Sequence, residues 1–437
     1  MFALSSLASE EPRLASASPS LPVLLEYPDM RRHLSLGTAA AVLALAAGAS
    51  ACSPGTTPST TAVRCTTPGV TPQEIRLGLL YSDTGPSSAS LAVTRAGIDA
   101  RLGLANASGG INGRKVVYDW QDDSGTPAAN ALGARKLIED KHDFGLLEYS
   151  LAAGASAQYL ADRSVPVSGL AVGDAWPRYR NMFSFSYTTG DAVDTYGQFV
   201  KSRGGTRAAL LRTALAAEVG NTGAKLVQSM QAVGIPTVAE VPYTSNVDIP
   251  AATAQKIISS GADTLLAVVD AGVALPPVLT ALRAAGKNMK VIMSVSGYDN
   301  HLLREAGPAM AGVVVPVFYR PFEAGGPAIA SYTAAMTRYA PQVQHPEQEL
   351  ALIAYINTDL FLKGLQLAGP CPTRKGFVDA LRSVTSYDAG GLVQPPIDVK
   401  NGLGKQTTCW SFVQANDTGT AFTVVDENLC GRVLPAA

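Results

Sequence analysis

The sequence predicts an α/β protein built as two doubly wound parallel-sheet lobes. Short apolar runs alternate with alanine-rich helical stretches along most of the 437 residues. One series of predicted strands ends at about residue 185 and a second begins near residue 207, which indicates two sheets. The chain ends in two strands joined by a short turn and not by a helix. Strands separated by helices of this length imply right-handed crossovers and sheets covered on both faces.

Each element follows from local pattern. The run 75–81 is apolar enough for a buried strand, and 87–106 has helical periodicity ending at Gly109-Gly110, a typical helix stop. The next strand is predicted over 114–120, after the turn Asn112-Gly113. Further strands are predicted at 144–149, 165–170, 208–212, 237–241, 264–269 and 291–295, with helices at 128–140, 153–162, 191–202, 217–233, 249–260 and 276–285. Alternating residues at 407–414 and 420–426 flank an Asn-Asp-containing turn and predict a β-hairpin.

Composition excludes several classes of protein. Hydrophobic residues make up 47% of the chain, charged residues 16%, and the net charge is −1. A nucleic-acid binder needs a basic surface to neutralise phosphates, so that class is excluded. The four histidines are scattered and no CxxC pair occurs, so we predict no metal site and no cofactor.

The N-terminal region is typical of an export signal. A basic start at 30–33 precedes an alanine-rich apolar run over 34–47 and the small residues 48–51. Acidic residues before Met30 would spoil such a signal, so residues 1–51 are predicted to be a mis-annotated start plus a signal peptide. Cys52 directly after the small residues resembles a bacterial lipobox, which implies a lipid anchor. The alternative is ordinary cleavage nearby, with Cys52 as a thiol or in a disulfide. Residues 52–71 are predicted to be the linker to the anchor.

Export to an oxidising compartment predicts that the other four cysteines form two disulfides. Four cysteines allow three pairings. We favour Cys371 with Cys409 and Cys65 with Cys430, and buried free thiols remain the alternative.

Four segments in order carry a resemblance to a known family. They are 81–86 (YSDTGP), 105–114 (ANASGGINGR), 121–124 (QDDS) and 387–392 (YDAGGL). Together they resemble type I periplasmic binding proteins, in particular the branch that binds leucine, isoleucine, valine and related amides. The glycines in these segments shape turns and are not expected to touch ligand.

The resemblance implies two lobes joined by three hinge strands, with a ligand held between them. Lobe 1 would comprise residues 72–188 and 322–392, and lobe 2 residues 189–321 and 393–437. The crossings are expected near 187–190, 315–322 and 392–397.

The expected ligand contacts lie where strands end and helices begin, since helix N-termini there offer free N–H groups. In lobe 1 the resemblance points to two segments, 150–152 and 171–173; the serine has an alternative role as a helix cap only. The contacts predicted there are Ser150, Leu151, Ala152, Ala171, Val172 and Gly173.

In lobe 2 the predicted contacts include two aspartates that could receive a ligand ammonium, with helix capping as the alternative role. Two tyrosines and Phe318 could form an apolar or aromatic wall, with core packing as the alternative. The predicted contacts are Thr213, Asp270, Tyr298, Asp299 and Tyr319.

These features predict a lipoprotein on the outer face of the cytoplasmic membrane. It would capture an amino acid, amide or carboxylic acid and deliver it to an ABC permease; the alternative is a sensor that signals to a membrane partner. An enzyme is not expected, because the first strand is not followed by G-x-G-x-x-G and no G-x-S-x-G elbow occurs.

Overall fold

The computed structural model describes residues 65–85, 87–213 and 221–435. The predicted signal peptide, Cys52, Pro86 and the segment after Thr213 lie outside the described residues. Two sheets organise the described chain, one of five strands and one of seven. The predicted fold class, α/β with two mostly parallel sheets, is confirmed.

The first sheet is parallel throughout, with the strand order β2-β1-β3-β4-β5. Its inner strands β3 and β4 are buried at every position, because helices cover both faces of the sheet. The five strands are β1 (Glu74–Tyr81), β2 (Lys115–Asp122), β3 (Leu146–Tyr149), β4 (Val167–Gly169) and β5 (Met182–Phe183).

Seven helices accompany this sheet, and three of them arrive from late in the chain. They are α1 (Ser88–Leu91), α2 (Thr94–Ala107), α3 (Pro127–Arg135), α4 (Gly154–Asp162), α10 (Gly326–Tyr339), α11 (Glu349–Leu367) and α12 (Arg374–Leu381). Helix α2 packs on α10 and α11. A Cβ on Gly97 would lie 2.0 Å from the carbonyl oxygen of Ala351, so only glycine permits this approach of α2 to α11.

The second sheet has the order β12-β11-β10-β9-β8-β6-β7. Its strands are β6 (Ala208–Thr213), β7 (Thr237–Tyr243), β8 (Thr264–Val268), β9 (Val291–Ser294), β10 (Val313–Val317), β11 (Cys409–Ala415) and β12 (Phe422–Cys430). Five helices cover it: α5 (Thr195–Ser202), α6 (Thr222–Ala232), α7 (Pro250–Ser259), α8 (Leu275–Ala284) and α9 (Asn300–Ala306). The pairs β10–β11 and β11–β12 are antiparallel, and the second is the predicted hairpin.

The chain passes between the two sheets three times, at 184–194, 318–325 and 382–408. Strand β10 runs to Val317, so the second passage begins later than the predicted 315. The predicted lobe limits themselves stay a prediction.

Two disulfides correct the predicted pairings, which are wrong. The long-range disulfide joins Cys65 to Cys371, and the hairpin disulfide joins Cys409 to Cys430. Cys409 and Cys430 are register partners on β11 and β12, so pairing either with a cysteine of the other lobe would separate the hairpin. Cys371 lies just after α11, and Cys65 lies shortly before β1 along the chain, so both cysteines of this disulfide belong to the first lobe.

Among the described residues, no helix combines the length and the apolar character that crossing a membrane requires.

Candidate functional site

A buried polar network lies at the carboxyl end of the first sheet. The Ser150 hydroxyl donates to Asp123 and accepts from the amide of Ala152 at 2.9 Å. Asp123 also accepts from Ser82 at 2.7 Å and from Asn130 at 3.0 Å. Ser150 and Asp123 are fully buried. In this structure the Ser150 hydroxyl therefore fixes the loop that follows β3, while the Leu151 side chain is 53% exposed.

Glu148 lies beneath this network. Its side chain is fully buried and accepts from Asn130 at 3.0 Å. Burial raises the pKa of Glu148 to about 8, and the nearby Asp123 acts in the same direction. The carboxyl group is therefore a structural acid in the lobe interior, held away from solvent.

The second predicted lobe-1 segment is joined to the first passage between the lobes. Thr188 donates from its amide and hydroxyl to the carbonyl of Ala171, at 3.3 and 3.0 Å, and Ala171 pairs with Tyr187. Val172 and Gly173 are partly exposed, and Gly173 has a φ of +87°. The end of β4 is thus fixed to the residues on which the lobes would hinge.

The two predicted aspartates of the second lobe accept hydrogen bonds from nearby backbone amides. Asp270 accepts from the amides of Gly272 and Val273, at 2.9 and 2.7 Å. Asp299 is the N-cap of α9, and also pairs through its backbone with Gln348 of the first lobe. Asp299 therefore has the capping role that was the alternative to binding an ammonium, whereas Asp270 closes the turn before α8, whose N-cap is Ala274. Thr213 ends β6 and is partly exposed.

The predicted tyrosines are core residues. Tyr298 is 2% exposed, accepts from the amide of Phe322 at 2.8 Å and donates to Glu323. Tyr319 is 1% exposed and stacks on Tyr298 with ring centroids 6.5 Å apart. In the described part of the chain the Tyr319 hydroxyl has no hydrogen bond of ordinary geometry, although it lies beside Glu349.

A cavity of 220 Å³ lies where the three passages meet. Residues of the first and second passages line it, together with side chains from α5, α6, the start of α11 and β11. The lining residues are Ser186, Tyr187, Thr188, Tyr196, Thr222, Lys225, Leu226, Val295, Pro316, Phe318, Glu349, Gln406 and Trp410. None of the eleven predicted contacts is among them, and those contacts stay a prediction.

One wall of the cavity is aromatic. Trp410 lies between Tyr196 and Phe318, with ring centroids 5.1 and 5.4 Å away. Its indole N–H donates to the carbonyl of Thr407 at 3.1 Å, so the ring is held in one orientation. Gln406 donates to the Tyr196 hydroxyl at 3.2 Å, and its own side-chain oxygen is buried with no partner within the described residues.

Two ionisable side chains line the same cavity. Lys225, half-buried on α6, donates to the carbonyl of Thr188 at 2.7 Å. Burial lowers the pKa of Lys225, and the carboxylates of Asp191 and Asp174 act in the opposite direction. Glu349 opens α11, and burial raises its pKa to about 7; Tyr319 opposes this rise and Asp299 adds to it.

Apart from Phe318, which was named as a possible wall residue, the cavity residues were not foreseen from the sequence, because they come from distant parts of the chain. Lys225 carried one signal. It is the sole charged residue of an otherwise uncharged helix sequence, TGAKLVQSMQA. Trp410 had no local signal, since it lies inside an apolar strand pattern, and Glu349 ends the polar stretch 345–349 that precedes the apolar helix pattern of α11.

Comparison with known proteins assigns the family. A family model described as a periplasmic binding protein matches residues 74–420. The chain belongs to the periplasmic binding protein family. No curated protein sequence matches it.

Solved structures share the fold of this periplasmic binding protein at low identity. A solute-binding protein of an ABC transporter from R. palustris, in complex with 4-hydroxybenzoate, has a TM-score of 0.66 and 17% identity, covering 82% of this chain and 97% of that one. A leucine-binding protein from Thermotoga maritima has a TM-score of 0.62 and 15% identity, with coverage of 80% and 97%. A fatty acid ABC transporter substrate-binding protein from Thermomonospora curvata has a TM-score of 0.63 and 17% identity, with coverage of 83% and 94%.

Proposed function

We propose that the protein is the extracytoplasmic solute-binding component of an ABC importer, and that it holds one small molecule between its lobes without changing it chemically. The observation that carries this proposal is the cavity at the three passages, with its aromatic wall and two ionisable side chains. Apolar walls with a few convergent polar groups are typical of small-molecule sites. Family membership and the ligands named for similar structures support the same role.

The proposed mechanism is closure about the passages. Residues 186–188, Pro316 and Phe318 line the cavity and also lie on or next to the first two passages, so a change in lobe angle would change the cavity itself. A ligand that contacts both α6 and α11 would favour the closed arrangement. The closed lobes would then present one surface to a permease.

Binding can be followed directly through Trp410. The protein, purified without refolding, is examined by native mass spectrometry, and then titrated with benzoate, 4-hydroxybenzoate, leucine and octanoate. We expect one ligand per chain, a change in tryptophan fluorescence, and recovery of the ligand at unchanged mass. Trp410→Phe is expected to lose most of the fluorescence change, whereas Trp176→Phe, a fully buried tryptophan outside the cavity, is expected to keep it. Chemical conversion of a bound ligand, or no binding by the whole panel and no retained ligand, would refute the proposal.

We further propose that Cys52 is the acylated N-terminus of the mature protein. The basic start at 30–33, the apolar run at 34–47 and the small residues before Cys52 support it. In a bacterial host, the intact mass of the membrane-bound protein should match a chain beginning at Cys52 plus lipid, and Cys52→Ser should release it from the membrane. A peptide from residues 1–29, or an unmodified Cys52 in the membrane fraction, would contradict this.

A further inference from the structure

We propose that Lys225 is the anion anchor of the cavity, and that the ligand is a small monocarboxylate with an apolar or aromatic body. This inference rests on the proposed function and names the ligand class for the same cavity. It places the main polar contact with the ligand on α6 of the second lobe, away from the strand-end contacts that the sequence predicted.

The bonding of Lys225 leaves room for an anion. An ammonium has three donors, and within residues 65–85, 87–213 and 221–435 this one donates only to the Thr188 carbonyl, with no carboxylate in ion-pair distance. The carboxylates of Asp191 and Asp174 act on this half-buried cation without a direct ion pair among the described residues, and a ligand carboxylate would stabilise it further by a charge-assisted hydrogen bond. The Thr188 contact holds the ammonium at the cavity wall and leaves two donors available.

The other walls fix the rest of the ligand. Tyr196, Phe318 and Trp410 form an apolar surface suited to a ring or a branched chain. Drug-sized ligands occupy pockets of about 300–1,000 Å³. At 220 Å³ the cavity suits a smaller molecule.

Glu349 does not make the cavity an amino-acid site. Burial raises the pKa of Glu349 to about 7, so near neutral pH it offers only a partial counter-charge to a ligand ammonium. The Lys225 ammonium on the same cavity opposes a second cation. A ligand with a carboxylate and no ammonium avoids both the weak counter-charge of Glu349 and the repulsion by Lys225.

The test compares pairs of ligands that differ by one charge. Benzoate is compared with benzamide, and 4-methylpentanoate with leucine, by isothermal titration at pH 7.5. We expect the wild type to bind benzoate at least about tenfold more tightly than benzamide, the size expected for one charge-assisted hydrogen bond. It should also bind 4-methylpentanoate more tightly than leucine. Lys225→Met should bring the benzoate and benzamide affinities within about threefold of each other, and Lys225→Arg should keep the preference.

Lys201→Met is the matched control. Lys201 lies on the neighbouring helix α5, also donates to a backbone carbonyl, that of Val233 at 3.0 Å, and does not line the cavity. This variant should keep the wild-type preference. Circular dichroism and the melting temperature establish that each variant is folded. If Lys225→Met failed to fold, the preference kept by Lys225→Arg and lost by Lys225→Gln would serve the same comparison.

Three outcomes would overturn the inference while leaving the proposed function intact. They are an unchanged benzoate preference in Lys225→Met, equal binding of benzoate and benzamide by the wild type, and tighter binding of leucine than of 4-methylpentanoate with loss of leucine affinity in Glu349→Gln. Absence of any binding would instead refute the proposed function.

Discussion

Asp143 should make the stability of the first lobe depend on pH. It precedes β3, is fully buried, and neither of its carboxyl oxygens has a hydrogen-bond partner in the described part of the chain. Burial raises the pKa of Asp143 to about 8, and Asp119 adds to the rise against the opposing charges of Arg76, Lys141 and Arg374. The folded protein therefore holds a proton here that the unfolded chain has already released above about pH 4.

The sign and size follow from proton linkage. Between about pH 4 and pH 8 the folded state binds one more proton than the unfolded state, so the free energy of unfolding falls by about 1.4 kcal/mol per pH unit from this group. The stabilisation is complete below the unfolded pKa and is lost as the pH rises through the folded value. Asp143→Asn removes this contribution. From pH 5 to pH 7 the free energy of unfolding of the wild type should therefore fall by about 3 kcal/mol more than that of the variant.

Urea unfolding at pH 5, 6 and 7 measures the effect, with a Trp410→Phe background so that fluorescence reports on Trp120 and Trp176 of the first lobe. Asp140→Asn, an exposed carboxylate in the neighbouring turn, is the control and should keep the wild-type pH dependence. Parallel stability curves for the wild type and Asp143→Asn would refute the reasoning.

Three further predictions concern packing and connectivity. Gly97→Ala should destabilise the protein by about 1–3 kcal/mol, because the new Cβ meets the α11 backbone, whereas Gly154→Ala, with its nearest contact at 3.9 Å, should be close to neutral in thermal unfolding. Ser150→Ala should cost about 1–3 kcal/mol by leaving buried Asp123 one donor short; a fall in ligand affinity at unchanged melting temperature would instead assign the hydroxyl to the ligand. Serine replacement of the long-range disulfide, which spans 306 residues, should lower the urea midpoint more than replacement of the 21-residue hairpin disulfide, since chain entropy gives about 6 against about 3 kcal/mol. Equal losses would contradict that ordering.

Most strands were predictable because parallel strands buried on both faces have short, continuous apolar sequences. The run predicted at 264–269, for example, is β8 within one residue. The hairpin was predictable from its turn and flanking alternation. Helices α10 to α12 were not predicted individually, and their place on the first lobe depends on the second passage, which no local pattern specifies.

The disulfides and the cavity also show that local sequence patterns do not specify contacts between distant parts of the chain. Counting outward from the hairpin turn places Cys409 opposite Cys430 once the irregular register near Phe412 is included, so the hairpin held the signal for that pair. The pairing of Cys65 with Cys371 depends on the return of the chain to the first lobe. Likewise Lys225, Glu349 and Trp410 line one cavity only because three passages converge, and no local sequence pattern specifies that convergence.

The long-range disulfide determines where mechanical traction would enter the molecule. Cys65 is bonded to Cys371, between α11 and α12, so a pull on the preceding chain enters the first lobe both along the backbone to β1 and through that bond. Helix α11 lies on this load path, whereas α6 with Lys225 lies beyond the passages. In a protein anchored through its N-terminal segment, the first lobe would thus be held at the anchor. The second lobe would then move relative to the first when ligand binds.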